Sequence, residues 1–168
     1  MPGTRALNSD TFKVTTPGDR DIVVTRLFDA PPELVFEAMT KPEHVRRWWG
    51  LLDERYSVPV CEIDLRPGGA WRFVGRGPGG DVTFYGVYRE ISPPGRLVYT
   101  EIFAPYPDAE SVITQTLMEE GGKTRLTATC VYPSKEVRDM VIQTGMEKGA
   151  ALSYDRLEAV AKELERLR

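Results

Sequence analysis

Six short strand-like segments between residues 58 and 132, followed by a single long amphipathic segment, constrain the fold most. Val, Ile, Thr, Tyr and Phe dominate the six segments, and Gly- or Pro-rich turns interrupt them at 67–69, 77–80, 93–95, 105–108 and 121–122. Such short, regularly interrupted runs are typical of antiparallel hairpins. An antiparallel sheet needs a cover for its apolar face, and only the final segment is long enough to provide one.

This final segment is predicted to be a helix of about six turns. Its apolar face is formed by residues at intervals of three and four, namely Met146, Ala150, Ser153, Leu157, Val160, Leu164 and Leu167. The charged residues, with Glu158 and Lys162 as a favourable pair, are assigned to the opposite face. Small residues in the first half and large ones in the second predict a cavity against the first half.

The segments before the hairpins complete the predicted order of elements. Residues 21–28 have the β-branched composition of a strand, and Pro-containing start signals predict two short helices within 29–49. A further brief helix is expected at 136–142. We therefore predict an α+β fold, in which a curved antiparallel sheet of about seven strands wraps around the long C-terminal helix and two short helices follow strand one. Residues 1–19 are predicted to be a tail or edge segment, and 20–168 one domain.

Composition narrows the classes of function. The chain has 168 residues, 41% of them apolar, with a net charge of -3 and a pI near 5.3. This charge argues against nucleic acid as a partner. No run approaches the ~20 apolar residues of a membrane span, and no signal peptide is recognisable. The two cysteines, Cys61 and Cys130, are interpreted as buried thiols, so a cytoplasmic location is expected.

Two patterns that suggest familiar chemistry have simpler interpretations. Residues 75–80 match the dinucleotide-binding spacing G-x-G-x-x-G, but strand residues follow them where that motif requires a helix. A hairpin turn is therefore predicted. His44 is the only histidine, and the two cysteines lack clustered spacing, so neither a metal site nor a cofactor is predicted.

One carboxylate remains a candidate for acid–base chemistry, which needs only a single positioned side chain. Counting in steps of two along the predicted strands places Tyr99, Glu101 and Phe103 on one face, and Ile113 and Gln115 on one face of the next strand. If these faces are concave, Glu101 is a polar group among aromatic side chains, and Arg26 is its candidate partner. Alternatively, Glu101 faces solvent.

Several motifs in a specific order resemble a known family. They are TRLFDAP at 25–31, VF at 35–36 with WWG at 48–50, DLRPGG at 64–69, GVYREI at 86–91, PPGRLVYT at 93–100, TRLT at 124–127 and GMEKG at 145–149. Over about residues 20–167 the chain resembles the START-like (SRPBCC) superfamily, and within it the branch related to the activator of the heat-shock protein 90 ATPase.

The resemblance implies a helix-grip fold with a hydrophobic cavity between sheet and helix, but not a single function. The superfamily includes lipid and hormone binders, aromatic polyketide cyclases, resistance proteins and co-chaperones, and a shared fold is a weak guide among them. Where a typical member has a Trp in the strand after the Pro-Pro turn, this chain has Glu101. This difference predicts a carboxylate at the pocket wall.

The leading hypothesis is a non-enzymatic binder or carrier of a small hydrophobic molecule, in a protein that is a monomer or homodimer. The alternatives are a cyclase- or hydratase-like enzyme with Glu101 as general base, and a co-chaperone-like module with a chaperone or other protein as partner. The predicted ligand-binding residues are Trp49, Trp71, Phe73, Phe84, Tyr88, Tyr99, Glu101, Phe103, Ile113, Gln115, Met146, Gly149, Ala150 and Ser153.

Overall fold

Eight antiparallel strands form one curved sheet in the computed structural model, which describes residues 11–168. The strands are β1 (Lys13–Thr15), β2 (Asp21–Phe28), β3 (Ser57–Ile63), β4 (Ala70–Gly77), β5 (Gly80–Ser92), β6 (Arg96–Phe103), β7 (Ser111–Glu120) and β8 (Lys123–Val131). Their order along the sheet is β1-β2-β8-β7-β6-β5-β4-β3, so β8 pairs with both β2 and β7 and joins the first two strands to the consecutive hairpins.

Within residues 11–168, four helices accompany the sheet: α1 (Pro32–Thr40), α2 (Pro42–Val45), α3 (Lys135–Gln143) and α4 (Met146–Arg166). Proline is the first residue of α1 and of α2. The first backbone N–H groups of a helix make no hydrogen bond within it, so proline costs no helical hydrogen bond at this position. The Ser134 hydroxyl caps α3 by accepting from the backbone N–H of Val137. Gly145, with φ of 80°, turns the chain from α3 into α4.

The predicted helix-grip architecture is confirmed, with one correction to the strand count. The structure has eight strands because Lys13–Thr15 pairs with β2 at the edge of the sheet. Residues 1–10 of the predicted segment 1–19 lie outside the described residues. The glycine-rich stretch 75–80 is a hairpin, in which Gly77 pairs with Gly80.

Alternate residues of the central strands and the second half of α4 form the core. On the strands these residues are Ile22, Val24, Arg26, Phe28, Ile113, Gln115, Leu117, Thr124, Leu126 and Ala128; on α4 they are Leu157, Val160, Ala161 and Leu164. In the first half of α4, Met146, Gly149, Ala150 and Ser153 are only half-buried. Leu167 lies beyond the last helical turn and is 77% exposed, so its predicted place on the buried face is wrong.

A buried ion cluster joins the middle of α4 to β2. The Arg26 guanidinium donates to Asp155 and lies 3.5 Å from a Glu158 carboxylate oxygen. The same Glu158 carboxylate accepts from the backbone N–H of Asp29 at 2.8 Å, and the guanidinium lies 5.0 Å from the Phe28 ring centroid. Glu158 is therefore buried rather than on the solvent face that helical spacing predicted, and the Lys162 ammonium instead contacts Asp29 at 2.8 Å.

We expect Arg26→Ala to lower the free energy of unfolding by about 3–5 kcal/mol, because two carboxylates would lose the charge that compensates their burial. Arg125→Ala is the matched control, since Arg125 lies beside Leu27 on the neighbouring strand and pairs with Glu120 at the surface. Urea unfolding measures both variants. Equal losses of stability in the two would contradict the assigned role of Arg26.

Candidate functional site

The inner face of β6 carries the three residues that period-two counting grouped together. Tyr99, Glu101 and Phe103 alternate with Thr100, whose hydroxyl instead accepts from the Val87 backbone N–H at 3.0 Å. Tyr99 packs against the core, and its cross-strand neighbour on β7 is the buried Ile113. The face that carries Glu101 is therefore the one that faces α4.

Trp49, which follows α2, joins aromatic side chains from three strands. Its ring lies 5.3 Å from Phe73 on β4 and 5.6 Å from Phe84 on β5, both edge-on. Phe84 in turn stacks on Phe103 of β6 at 5.0 Å. Edge-on and offset contacts at these distances stabilise aromatic clusters. These contacts hold the loop after α2 against β4 and β5.

A glycine gives Trp71 access to the strand that carries Glu101. The register of β5 and β6 places Gly86 opposite Glu101, and Gly86 pairs with Trp71 on its other side. A Cβ at Gly86 would lie 1.9 Å from the Thr100 carbonyl oxygen and 2.8 Å from the indole nitrogen. With glycine there, the indole donates to the Thr100 carbonyl at 3.1 Å. The Trp71 ring also lies edge-on to Tyr99 at 5.7 Å.

Tyr88 completes this group of aromatic side chains. It is buried on β5, with its ring 6.2 Å from that of Tyr99. The structure therefore brings seven predicted aromatic residues into one continuous cluster: Trp49, Trp71, Phe73, Phe84, Tyr88, Tyr99 and Phe103.

Within residues 11–168, no side chain forms a hydrogen bond or ion pair with the Glu101 carboxyl group. Burial raises its pKa from 4.5 to about 7. The carboxylate acts electrostatically on the hydroxyls of Tyr99, Tyr132 and Tyr154 and on the Cys130 thiol, so these groups surround the same space. A carboxyl group in this environment exchanges a proton near neutral pH.

The groups around Glu101 keep their protons at neutral pH. Burial raises the pKa of Cys130 to about 12 and raises the pKa values of Tyr99, Tyr132 and Tyr154. A thiol in this state is a poor nucleophile. Of the five groups, Glu101 alone changes charge between pH 5 and 9.

Gln115 and Ser153, two predicted polar site residues, have partners within the protein. The Gln115 amide donates to the Met39 sulfur at 3.1 Å, and the Ser153 hydroxyl accepts from the Gly50 backbone N–H at 3.2 Å. The predicted pairing of Glu101 with Arg26 is wrong, because Arg26 contacts Asp155 and Glu158 instead. Of Glu101, Gln115 and Ser153, Glu101 is thus the one whose side chain forms no hydrogen bond or ion pair within residues 11–168.

Cys130, Tyr132 and Tyr154 were not predicted as site residues, although the sequence contains a signal for two of them. Alternation from Leu126 through Ala128 places Cys130 on the inner face of β8. Tyr154 follows Ala150 by four positions and shares its helical face. Edge-on contact of Tyr154 with Phe28 at 5.7 Å holds it between α4 and β2.

Two concavities lie outside the space around Glu101. A groove of about 520 Å³ runs along the convex face of the sheet, where Arg72, Tyr85 and Ile102 line it. A cleft of about 400 Å³ separates the loop after β6 from the start of α3, with Tyr106 and Val137 among its lining residues. This cleft is at the Glu101 end of β6, because the Tyr106 ring contacts Phe103 at 5.9 Å.

Neither a metal site nor a transmembrane helix is found within the described part of the chain. No group of three or more His, Cys, Asp or Glu side chains is placed to hold a metal ion among residues 11–168. His44 lies 3.4 Å from Glu37. No helix in this range has the length and apolar character needed to cross a membrane.

A curved antiparallel sheet that grips one C-terminal helix, with aromatic side chains between them, defines the START-like class of proteins. The model of the family "Activator of Hsp90 ATPase homolog 1-like protein" matches residues 29–162, and the chain belongs to this family. None of the curated proteins searched matches the chain.

Solved structures of bacterial proteins share the fold. A protein from Rhodobacter sphaeroides has a TM-score of 0.82 and 25% sequence identity, with 90% of this chain and 99% of that chain covered. A protein from Nitrosomonas europaea has a TM-score of 0.76 at 24% identity, with 90% and 99% covered. A protein from Chromobacterium violaceum has a TM-score of 0.72 at 26% identity, with 84% and 97% covered.

The raised pKa of Glu101 predicts how stability depends on pH. Between pH 4.5 and 7 the folded chain retains a proton that the unfolded chain has lost, so this group makes the protein less stable as the pH rises. We expect the stability of Glu101→Gln relative to that of the wild type to increase over this range. The difference should level off at about 3 kcal/mol by pH 8. Urea unfolding of both proteins at pH 5 and pH 8 measures the change. A difference that does not depend on pH would contradict the raised pKa.

Proposed function

We propose that this protein binds a small, largely apolar molecule between the concave face of its sheet and the first half of α4. The observation that carries this proposal is the unpartnered carboxyl group of Glu101 within a cluster of seven aromatic side chains. Pockets for small molecules combine such apolar walls with a few polar groups that set orientation. Burial of ligand carbon, at about 25 cal/mol per Å², supplies the affinity.

The first half of α4 supports this position for the pocket. Met146, Gly149 and Ala150 remain half-buried where Leu157 and Leu164 farther along the helix are buried. A Cβ built at Gly149 meets no atom within 4 Å. The small side chains thus leave α4 loosely covered at the end where Tyr99 and Glu101 lie. We assign the cleft between Tyr106 and Val137 as the entrance, because it borders the same end of β6.

We expect Ala150→Trp to fill the pocket and abolish ligand binding, because Ala150 shares a helical face with Met146 and Leu157. Ala159→Trp, at an exposed position of the same helix, is the control. Native mass spectrometry of freshly purified wild type and both variants measures a retained small molecule, which denaturation releases. Retention of that molecule by a folded Ala150→Trp variant would place the pocket elsewhere.

A second candidate function is an enzyme of the cyclase or hydratase kind. The specific observation in its favour is a pocket carboxyl group whose pKa of about 7 suits a general base or acid at neutral pH. If the wild type converts a molecule that it retains, we expect Glu101→Gln to slow the conversion by about 10²–10⁴-fold. Unchanged turnover in that variant would remove Glu101 as the base.

Activation of a chaperone ATPase is named in the family's description. The described residues favour small-molecule binding over that activity, because their distinctive chemistry lies inside the sheet and not on its convex face.

A further inference from the structure

We propose that the pocket selects an apolar molecule that carries an ammonium group, with the ammonium between the Glu101 carboxylate and the aromatic rings beside it. This inference rests on the proposed function and names the ligand class. A ligand carboxylate would repel the Glu101 carboxylate, and a neutral hydrocarbon would leave the Glu101 carboxylate without a partner.

The charges inside the protein disfavour an anionic ligand. Arg26 and Arg138 are the two buried arginines among the described residues. Arg26 contacts Asp155 and Glu158, so its charge is already balanced. Arg138 donates to Asp139 and to the backbone carbonyl oxygen of Asp21. The buried Nε of Arg26 has no hydrogen-bond partner in the described part of the chain, but two carboxylates already outweigh the single positive charge of this guanidinium. A ligand carboxylate beside Glu101 would therefore add a like charge to an interior that is already negative there.

The aromatic rings near Glu101 favour a cation. Tyr99 and Phe103 lie two positions away on the same face of β6, or about 7 Å along the strand in either direction. Trp71 lies two strands from Glu101, on the far side of Gly86. A cation within about 6 Å of a ring centroid is attracted to the ring face, most strongly for Trp. We therefore expect an ammonium group that contacts the carboxylate to lie beside the face of at least one of these rings.

Ionisation of Glu101 links binding to pH. The titratable groups facing it are Tyr99 on β6, Cys130 on β8, Tyr132 just after β8 and Tyr154 on α4, and all four keep their protons below pH 9. On α4, Arg156 contributes to lowering the pKa of Asp53, and its own buried Nε has no hydrogen-bond partner within residues 11–168. Only the ionised form of Glu101 pairs with a permanent cation. Its affinity should therefore rise about 30-fold between pH 5.5 and 8.5, as the ionised fraction rises through the pKa.

The test compares two probes of nearly equal shape, benzyltrimethylammonium and its uncharged carbon isostere neopentylbenzene. Titration calorimetry and the fluorescence of Trp49 and Trp71 measure their affinities at pH 5.5 and 8.5. We expect the ammonium probe to bind the wild type at least tenfold more tightly than the isostere at pH 8.5, through attraction between its charge and the carboxylate and rings. Glu101→Gln should remove the pH dependence and reduce this preference to the roughly two- to fivefold that the rings alone supply, while changing the affinity for neopentylbenzene by less than about twofold. Glu119→Gln, which removes the same charge from an exposed position, is the control.

Two different failures can be distinguished. If neopentylbenzene binds and Ala150→Trp abolishes that binding, but the ammonium probe binds no more tightly, the pocket stands and the ammonium assignment is wrong. If neither probe binds the wild type at millimolar concentration, the pocket is wrong and the proposed function fails with it. An ammonium preference of undiminished size in Glu101→Gln also overturns the assignment.

Discussion

The ion cluster of Arg26 with Asp155 and Glu158 determines how α4 lies on the sheet. A buried guanidinium and two carboxylates tolerate little displacement, because each charge depends on the others for compensation. The cluster lies at the middle of α4. Beyond it, Leu157, Val160 and Leu164 pack closely on the core. Before it, the small side chains of α4 leave the sheet loosely covered. The ion cluster thus separates the closely packed half of α4 from the half whose side chains are at most half-buried.

The fold was predictable because it depends on patterns that a sequence displays directly. The Gly- and Pro-rich turns delimit the hairpins, and the apolar residues of the last segment recur at helical spacing. The same period-two counting placed Tyr99, Glu101 and Phe103 on one face of β6, as the structure has them. The edge strand Lys13–Thr15 was missed, because three residues are too few for alternation to be recognisable.

The partners of the charged residues were not predictable. Helical spacing gives the position of a side chain around its own helix, but it does not say which residue of another element lies opposite that side chain. Glu158 is adjacent to Leu157 and lies at the margin of the apolar face, so its burial depends on Arg26 across the interface. The contact of Trp71 with Thr100 likewise depends on Gly86 from the strand between them. Both contacts join residues far apart in sequence, which periodicity within one element does not relate.

The two carboxylate sites differ in what they contribute to the folded protein. Asp155 and Glu158 contact Arg26, and their burial positions α4. Glu101 has no such partner within the described chain, and its raised pKa measures a cost to folding that an uncharged residue would avoid. A bound cation would lower that pKa, and by linkage its affinity would rise with pH over the range in which Glu101 ionises. In the proposed pocket, the carboxyl group whose ionisation weakens the free protein is therefore also the group that would discriminate between ligands, and both effects would arise from its position beside Tyr99 and Phe103.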